Sequence, residues 1–316
     1  MQARALRRAK PTPVPNDLPF SNNDVTVVIP TICEDDQFDF FKRTLESVNR
    51  IEPYAIIIVT PEAQAKSIRR LAASVDRRIE VVASPRKSKR YQLWFGLIRV
   101  RTAITVCADD DIEWRWGDAA LLHLLTPFAN PHIGAVGTCQ RVERTRWRNL
   151  PELFGALYIT RRNHETVATN FIDGGLSCLS GRTFAIRTTI LQNSEFSEEY
   201  LGEKWRGHCL NPDDDNFVTR WVWRRGYKIQ IQSAEEVVVH TTLANTFSKY
   251  LSQCIRWERS RWRHTFTLVT KYPRIWKYVL ILSNWLLPTN SLQERNLGRP
   301  GHYTFKYYFT RLGRSQ

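Results

Sequence analysis

Four short apolar runs limit what this chain can fold into. Residues 25–30 (VTVVIP), 55–60 (AIIIVT), 79–84 (IEVVAS) and 103–108 (AITVCA) are continuous and rich in β-branched residues. A run without polar alternation is covered on both faces, as strands of a parallel sheet are. Stretches over about 37–50, 61–75 and 90–101 lie between the runs and read as helices. In the first of them Phe38, Phe41, Leu45 and Val48 recur at helical spacing. Alternating strand and helix predicts an α/β fold: a doubly wound, mostly parallel sheet flanked by helices. Such sheets bind ligands beyond the carboxyl ends of their strands, so the residues just after each run are the ones to read for chemistry.

The second half is less regular. Residues 133–142 and 171–186 mix strand-like residues with glycine. A helix over about 214–225, a short strand pair over 228–240 and a long helix over about 246–269 follow. That last helix makes a C-terminal helical extension. The chain of 316 residues divides into a flexible basic arm (1–23), a catalytic domain (24–270) and an interfacial or loosely ordered tail (271–316). The arm carries no apolar signal core. The nearest approach to a membrane span is Trp276 to Leu287, which Lys277, Ser283 and Asn284 interrupt. It reads as a core helix or a segment lying in a membrane interface. The six cysteines are scattered and several lie in apolar stretches, as buried free thiols do. The net charge of +15 fits an anionic partner: nucleic acid, phospholipid headgroups or a phosphorylated small molecule.

Acidic residues cluster where the sheet would bind ligands. Pro30, Thr31 and Glu34 follow the first strand, and Asp109-Asp110-Asp111 follow the fourth. Three consecutive carboxylates repel one another, and a hard divalent cation, Mg²⁺ or Mn²⁺, relieves that repulsion. Asp109 and Asp111 are two apart, so extended backbone points both the same way. The same run could instead cap the next helix. A second run, Asp213-Asp214-Asp215, opens a helix; Asp213 reads as its cap, and a carboxylate there can also be a general base. Lys89 and Arg90 follow the third strand, where cations contact a diphosphate or simply face solvent. In the long helix Gln253 and Arg256 share a face and Trp257 points elsewhere.

Taken in order, these motifs resemble the inverting family-2 glycosyltransferases. Among them the likeness is to processive polysaccharide synthases: hyaluronan, chitin and cellulose synthases and fungal capsule-type synthases. It spans about residues 24–265. Pro30-Thr31-Ile32-Cys33-Glu34-Asp35 is similar to the nucleotide-binding opening, and Lys89-Arg90 to the basic pair after the third strand. Asp109-Asp110-Asp111 matches Asp-x-Asp, and Cys178-Leu179-Ser180-Gly181-Arg182 resembles the acceptor-side segment. Asp214-Asp215 matches the base motif, and Gln253-Cys254-Ile255-Arg256-Trp257 matches Gln-x-x-Arg-Trp, the most specific of the set.

The resemblance implies a GT-A fold and an inverting transfer from a nucleotide sugar, expected to be a UDP-sugar, to a growing glycan. It implies Asp109 and Asp111 as metal ligands, Asp215 with Asp214 as the catalytic pair, and Gln253, Arg256 and Trp257 along the donor and acceptor end. It further implies a membrane-associated protein with a cytosolic catalytic domain, although this chain contains no span. The sequence departs from the pattern at Val59-Thr60-Pro61-Glu62, where many relatives carry an acidic residue, and at Cys33, where Asn is common. Other readings are transfer to a lipid phosphate, nucleic-acid binding, and a partner-binding remnant without catalysis, against which the intact Asp109, Asp111, Asp215 and Arg256 argue. Gln-x-x-Arg-Trp tells against the first. The acidic strand ends tell against the second, so no nucleic-acid partner is expected.

Overall fold

Each β-branched run is a strand, and each helical stretch lies between the strands that bracket it. The computed structural model describes residues 2–34, 37–144, 149–243 and 246–272. In chain order the elements are α1 (Gln2–Arg8), β1 (Val25–Pro30), α2 (Phe38–Asn49), β2 (Ala55–Pro61), α3 (Glu62–Val75), β3 (Glu80–Ser84) and α4 (Lys89–Leu97). Then come β4 (Ile104–Ala108), β5 (Ile112–Trp114), α5 (Asp118–Leu125), β6 (Ile133–Thr138), β7 (Gln140–Val142) and α6 (Leu150–Asp173). The remainder is β8 (Thr183–Arg187), α7 (Thr188–Leu191), α8 (Ser194–Gly202), β9 (Lys204–Trp205), β10 (His208–Cys209), α9 (Asp214–Arg224), β11 (Lys228–Gln232), β12 (Val239–Thr241) and α10 (Phe247–Lys271).

Among the described residues, seven strands form the central sheet in the order β11-β6-β8-β4-β1-β2-β3. All neighbours pair in parallel except β8, which runs antiparallel to both β4 and β6. Alternate residues feed two cores, one on each face. Val25, Val27 and Ile29 of β1 join Phe41, Leu45 and Ile68 on one side, while Val28 joins Leu93, Leu97, Phe184 and Phe217 on the other. This double covering is why the runs are mostly apolar without sustained polar alternation. Gly96 lets α4 lie hard against the sheet: a Cβ there would sit 2.4 Å from Val28 Cγ1. That close approach sets the first turn of α4 beside the strand ends.

The strand pair expected over 228–240 is not a pair. β11 joins the central sheet beside β6, while β12 sits between β5 and β7 in a three-stranded sheet. The helix expected to reach residue 101 ends at Leu97, where Ile98 and Val100 turn the chain into β4. The N-terminal arm is laid against the fold: Ala5 of α1 is buried, α1 packs on α6, and Thr12 exchanges hydrogen bonds with Gln230 and Gln232. Trp276–Leu287 lies outside the described residues. Among those described, no helix is long and apolar enough to cross a membrane.

Candidate active site

The carboxyl ends of β1 and β4 and the start of β8 meet at one edge of the sheet. Thr31 leaves β1 buried, and its hydroxyl donates to Asp110 Oδ2 at 2.5 Å and accepts from Cys33 N. Gln92 of α4 locks this exit by donating to Thr31 O (2.6 Å) and Val59 O (3.0 Å). Asp110 therefore faces back into the fold, as its position between Asp109 and Asp111 requires. Glu34 is exposed on the same loop, beyond Pro30 and Thr31.

Asp109 takes a salt bridge from Lys89 Nζ at 2.7 Å, and the same ammonium lies 3.2 Å from Asp214 Oδ2. Lys89 thus joins the strand-end carboxylates to those that open α9. Burial works against its charge, but Asp109 and Asp214 outweigh it and hold the ammonium well above the usual lysine range. Asp215 points the other way from Asp213. Its Oδ2 accepts from Gly181 N at 3.2 Å and its Oδ1 from Asn216 N at 2.7 Å. Burial, then Asp214, push the Asp215 carboxyl up to about 6 against the pull of Lys89 and Arg162. A carboxylate tuned this way is suited to accept a proton near neutral pH.

Asp111 is the second strand-end carboxylate. Burial and then Asp109 push it up to about 7, with Arg182 opposing, and its Oδ1 is buried without a hydrogen-bond donor among the described residues. An orphaned buried oxygen beside a second carboxylate fits an oxygen-seeking divalent ion. No third His, Cys, Asp or Glu among the described residues completes a cage. Two carboxylates with the remaining positions left to phosphate oxygens and water is the pattern Mg²⁺ and Mn²⁺ take.

The turn before β8 closes the cleft. Arg182 donates to Gln140 Oε1 and Thr241 Oγ1, tying the small sheet to the site, and its guanidinium lies 5.6 Å from the Trp257 ring. Trp257 in turn stacks on Tyr158 at 5.2 Å. Gln253 Oε1 is buried without a hydrogen-bond partner among the described residues, and Arg256 is exposed but close enough to Arg182 to act on its charge. The first half of α10 therefore covers the Arg182 side of the cleft.

The geometry separates two neighbours. Lys89 faces the carboxylates, whereas Arg90 is buried, and its guanidinium is taken up by Pro212 O, Tyr200 O, Asp213 O and Glu203. Asp213 occupies the cap position of α9 without a capping hydrogen bond; its carboxylate binds Arg263 and Ser260 of α10 instead. Sequence reading missed Arg162, which reaches Ser180 Oγ, Cys178 O and Leu179 O at 3.5 Å and acts on Asp215. Its helix carries readable signals: Asn149 caps it, Pro151 lies in its first turn, and Gly174 ends it at φ 75°. A cavity of about 410 Å³ opens beside α9, lined in part by Trp205, Asp213, Phe217, Arg263 and Tyr272; Asp109, Asp111 and Asp215 lie outside it.

Comparison with known proteins bears on the family and the fold. Residues 22–260 match a family model described as "Glycosyltransferase like family 2". The chain is 44% identical over 276 residues to a "Type 2 glycosyltransferase" of Gibberella zeae, covering 86% of this chain and 52% of that one. It is 41% identical to a "Type 2 glycosyltransferase" of Pyricularia oryzae, covering 85% and 56%. With the "NDP-glycosyltransferase ltbB" of Aspergillus luteorubrus it shares 31% identity over 81% of this chain and 64% of the other. The chain spans about half the length of the type 2 glycosyltransferases it matches. Mannosyltransferase PcManGT from Pyrobaculum calidifontis, solved in complex with GDP-Man and Mn²⁺, superposes with a TM-score of 0.55 at 19% identity, covering 92% of this chain and 84% of that one. The fold is of the GT-A glycosyltransferase type. Within that class, the chain belongs to the glycosyltransferase family 2-like proteins.

Proposed function

We propose that this chain transfers a sugar from a nucleotide-sugar donor, a UDP-sugar by preference, to a glycan hydroxyl with inversion at the anomeric carbon. One observation carries the reading. Lys89 bridges Asp109 at the strand end and Asp214 at the helix start, so the donor side and the base side share one cleft. The acceptor oxygen forms a bond to the anomeric carbon as the bond from that carbon to the diphosphate oxygen breaks. Asp215 takes the acceptor's proton, help worth about 10²–10⁴ in rate. Asp109 and Asp111 would hold a divalent ion, which when bound would supply positive charge to stabilise the departing diphosphate. Lys89 adds a second positive charge at the same edge, and Arg256 suits phosphate oxygens through its planar fork. Trp257 offers an edge to the sugar while Tyr158 covers one of its faces. The Mn²⁺ and GDP-Man of the archaeal mannosyltransferase agree with a metal-assisted, nucleotide-sugar reaction.

Polymer synthesis at a membrane surface is the setting this reading favours. Phe247, Leu251, Ile255, Trp262 and Phe266 form an exposed stripe along α10, and Leu150, Phe154 and Leu157 form another on α6, which packs against it. With a net charge of +15, such a face suits an anionic bilayer.

Release of nucleoside diphosphate from a panel of UDP- and GDP-sugars, with Mn²⁺ or Mg²⁺, tests the reading. Metal-dependent turnover that Asp215→Asn abolishes, with donor binding kept, is expected. No turnover together with no metal-dependent nucleotide binding would sink it.

A further inference from the structure

Lys89 and Arg90 are successive residues in the first turn of α4, and their side chains part company. Arg90 turns away from the strand-end carboxylates into a buried nest of acceptors. Its Nε donates to Pro212 O (3.1 Å), Nη1 to Tyr200 O (2.7 Å), and Nη2 to Glu203 Oε2 (2.6 Å) and Asp213 O (3.2 Å). Two of these carbonyls belong to the segment that enters α9, the helix on which Asp214 and Asp215 stand. The Tyr200 and Phe217 rings flank the guanidinium at 5.1 and 5.5 Å.

Glu203 doubles the connection. Its second oxygen accepts from Arg220 Nη2 of α9 at 2.5 Å, and Arg220 Nη1 donates to His264 Nδ1 of α10 at 2.9 Å. Burial, then Arg220, hold His264 well below the usual histidine range, so the ring is neutral and can accept that bond. Asp213, meanwhile, sits at φ 68°, a left-handed conformation that a non-glycine residue keeps only when its surroundings fix it. Its carbonyl receives both Arg90 and the Phe217 amide, and its carboxylate receives Arg263 and Ser260.

We propose that Arg90 and Glu203 are positioning residues for the transfer reaction: they fix the turn that presents Asp214 and Asp215 to Lys89, and touch neither donor nor acceptor. Consecutive residues of α4 then serve the two sides of the cleft, Lys89 by charge and Arg90 by holding backbone. Only a planar fork with several donors can satisfy four acceptors in two segments, the end of α8 and the entry to α9, so lysine cannot replace Arg90. The proposal rests on Asp215 being the base.

The full chain with Arg90→Lys or Glu203→Gln tests it. Three quantities are read: kcat and donor KM for nucleoside diphosphate release, the Kd of UDP with Mn²⁺ by calorimetry, and hydrogen exchange at the Phe217 amide. Expected is a fall in kcat of about ten- to a hundredfold, as misplacing a reacting group by an ångström produces. Donor KM and UDP affinity stay within about threefold, and exchange at Phe217 quickens about tenfold while β4 exchanges as before. A tenfold loss of UDP affinity with unchanged exchange at Phe217 makes Arg90 a diphosphate ligand and overturns the proposal; so does an unchanged kcat. If the wild-type chain turns over no donor, the glycosyl-transfer reading fails by itself. Exchange at Phe217 then still decides whether Arg90 holds the turn.

Discussion

Gly181 and Asp215 face each other so closely that a methyl group on Gly181 would press on the carboxylate. The Gly181 amide donates to Asp215 Oδ2 at 3.2 Å, and a Cβ on Gly181 would lie 3.2 Å from that oxygen and 3.4 Å from Lys89 Nζ. The backbone of Gly181 is not left-handed, so alanine meets no conformational barrier there. Gly181→Ala should therefore displace the carboxylate without unfolding the chain. Transfer should fall about tenfold or more while the denaturation midpoint shifts little.

Asp215 also predicts a pH profile. Its carboxyl is pushed up to about 6 by burial and by Asp214. The base form is the ionised one, so activity is low where the carboxyl is protonated and rises with pH. In a rate profile from pH 4.5 to 8, kcat should climb about tenfold per unit below pH 6 and level off above about 7. A profile flat across pH 6 would remove Asp215 from the role of base.

The left-handed Asp213 allows a comparison free of its own side chain. Asp213→Gly and Asp213→Ala both lose the bonds to Arg263 and Ser260. Only alanine keeps the unfavourable backbone at φ 68°. In urea titrations the alanine variant should be less stable than the glycine variant by about 1–2 kcal/mol.

Lys89 and Asp214 should behave as a coupled pair. The Asp214 side chain is only 8% exposed, and Lys89 is its ion-pair partner at 3.2 Å. Lys89→Met leaves that carboxylate buried without its countercharge and should lower stability by about 2–3 kcal/mol. Adding Asp214→Asn should recover about half of that loss, read as a coupling energy in a double-mutant cycle. Independent, additive effects would show that the two side chains do not depend on each other.

The sheet was readable because its strands are covered on both faces, which forces continuous β-branched runs such as AIIIVT at Ala55–Thr60. The antiparallel β8 was not readable. Its place between β4 and β6 depends on partners far along the chain, and no local residue encodes strand direction. The acidic runs announced themselves by position after β4 and at the start of α9. Arg90 did not, because adjacent residues on a helix point about 100° apart and sequence alone does not tell which one faces the cleft. α6 was overlooked although Asn149, Pro151 and Gly174 mark its ends, because it mixes exposed apolar residues such as Leu150, Phe154 and Phe171 with buried Glu152 and Thr169.

The reversed direction of β8 has a further consequence. The six parallel strands end on the side of the sheet where the site lies, whereas β8 begins there, so residues 174–182 reach the cleft from the end of α6. That span is held along its length: Leu176 and Leu179 are buried in the core, the Gly181 amide donates to Asp215, and Arg182 bonds to Gln140 of β7 and Thr241 of β12. A change in this segment is felt at Asp215 and at the small sheet, whereas the register of β1, β2, β3 and β4 is set by their own pairing. Under the proposed reaction the loop and the base would therefore change as one unit: a graft at 174–182 would have to keep Leu179, Gly181 and Arg182 for Asp215 to stay in place.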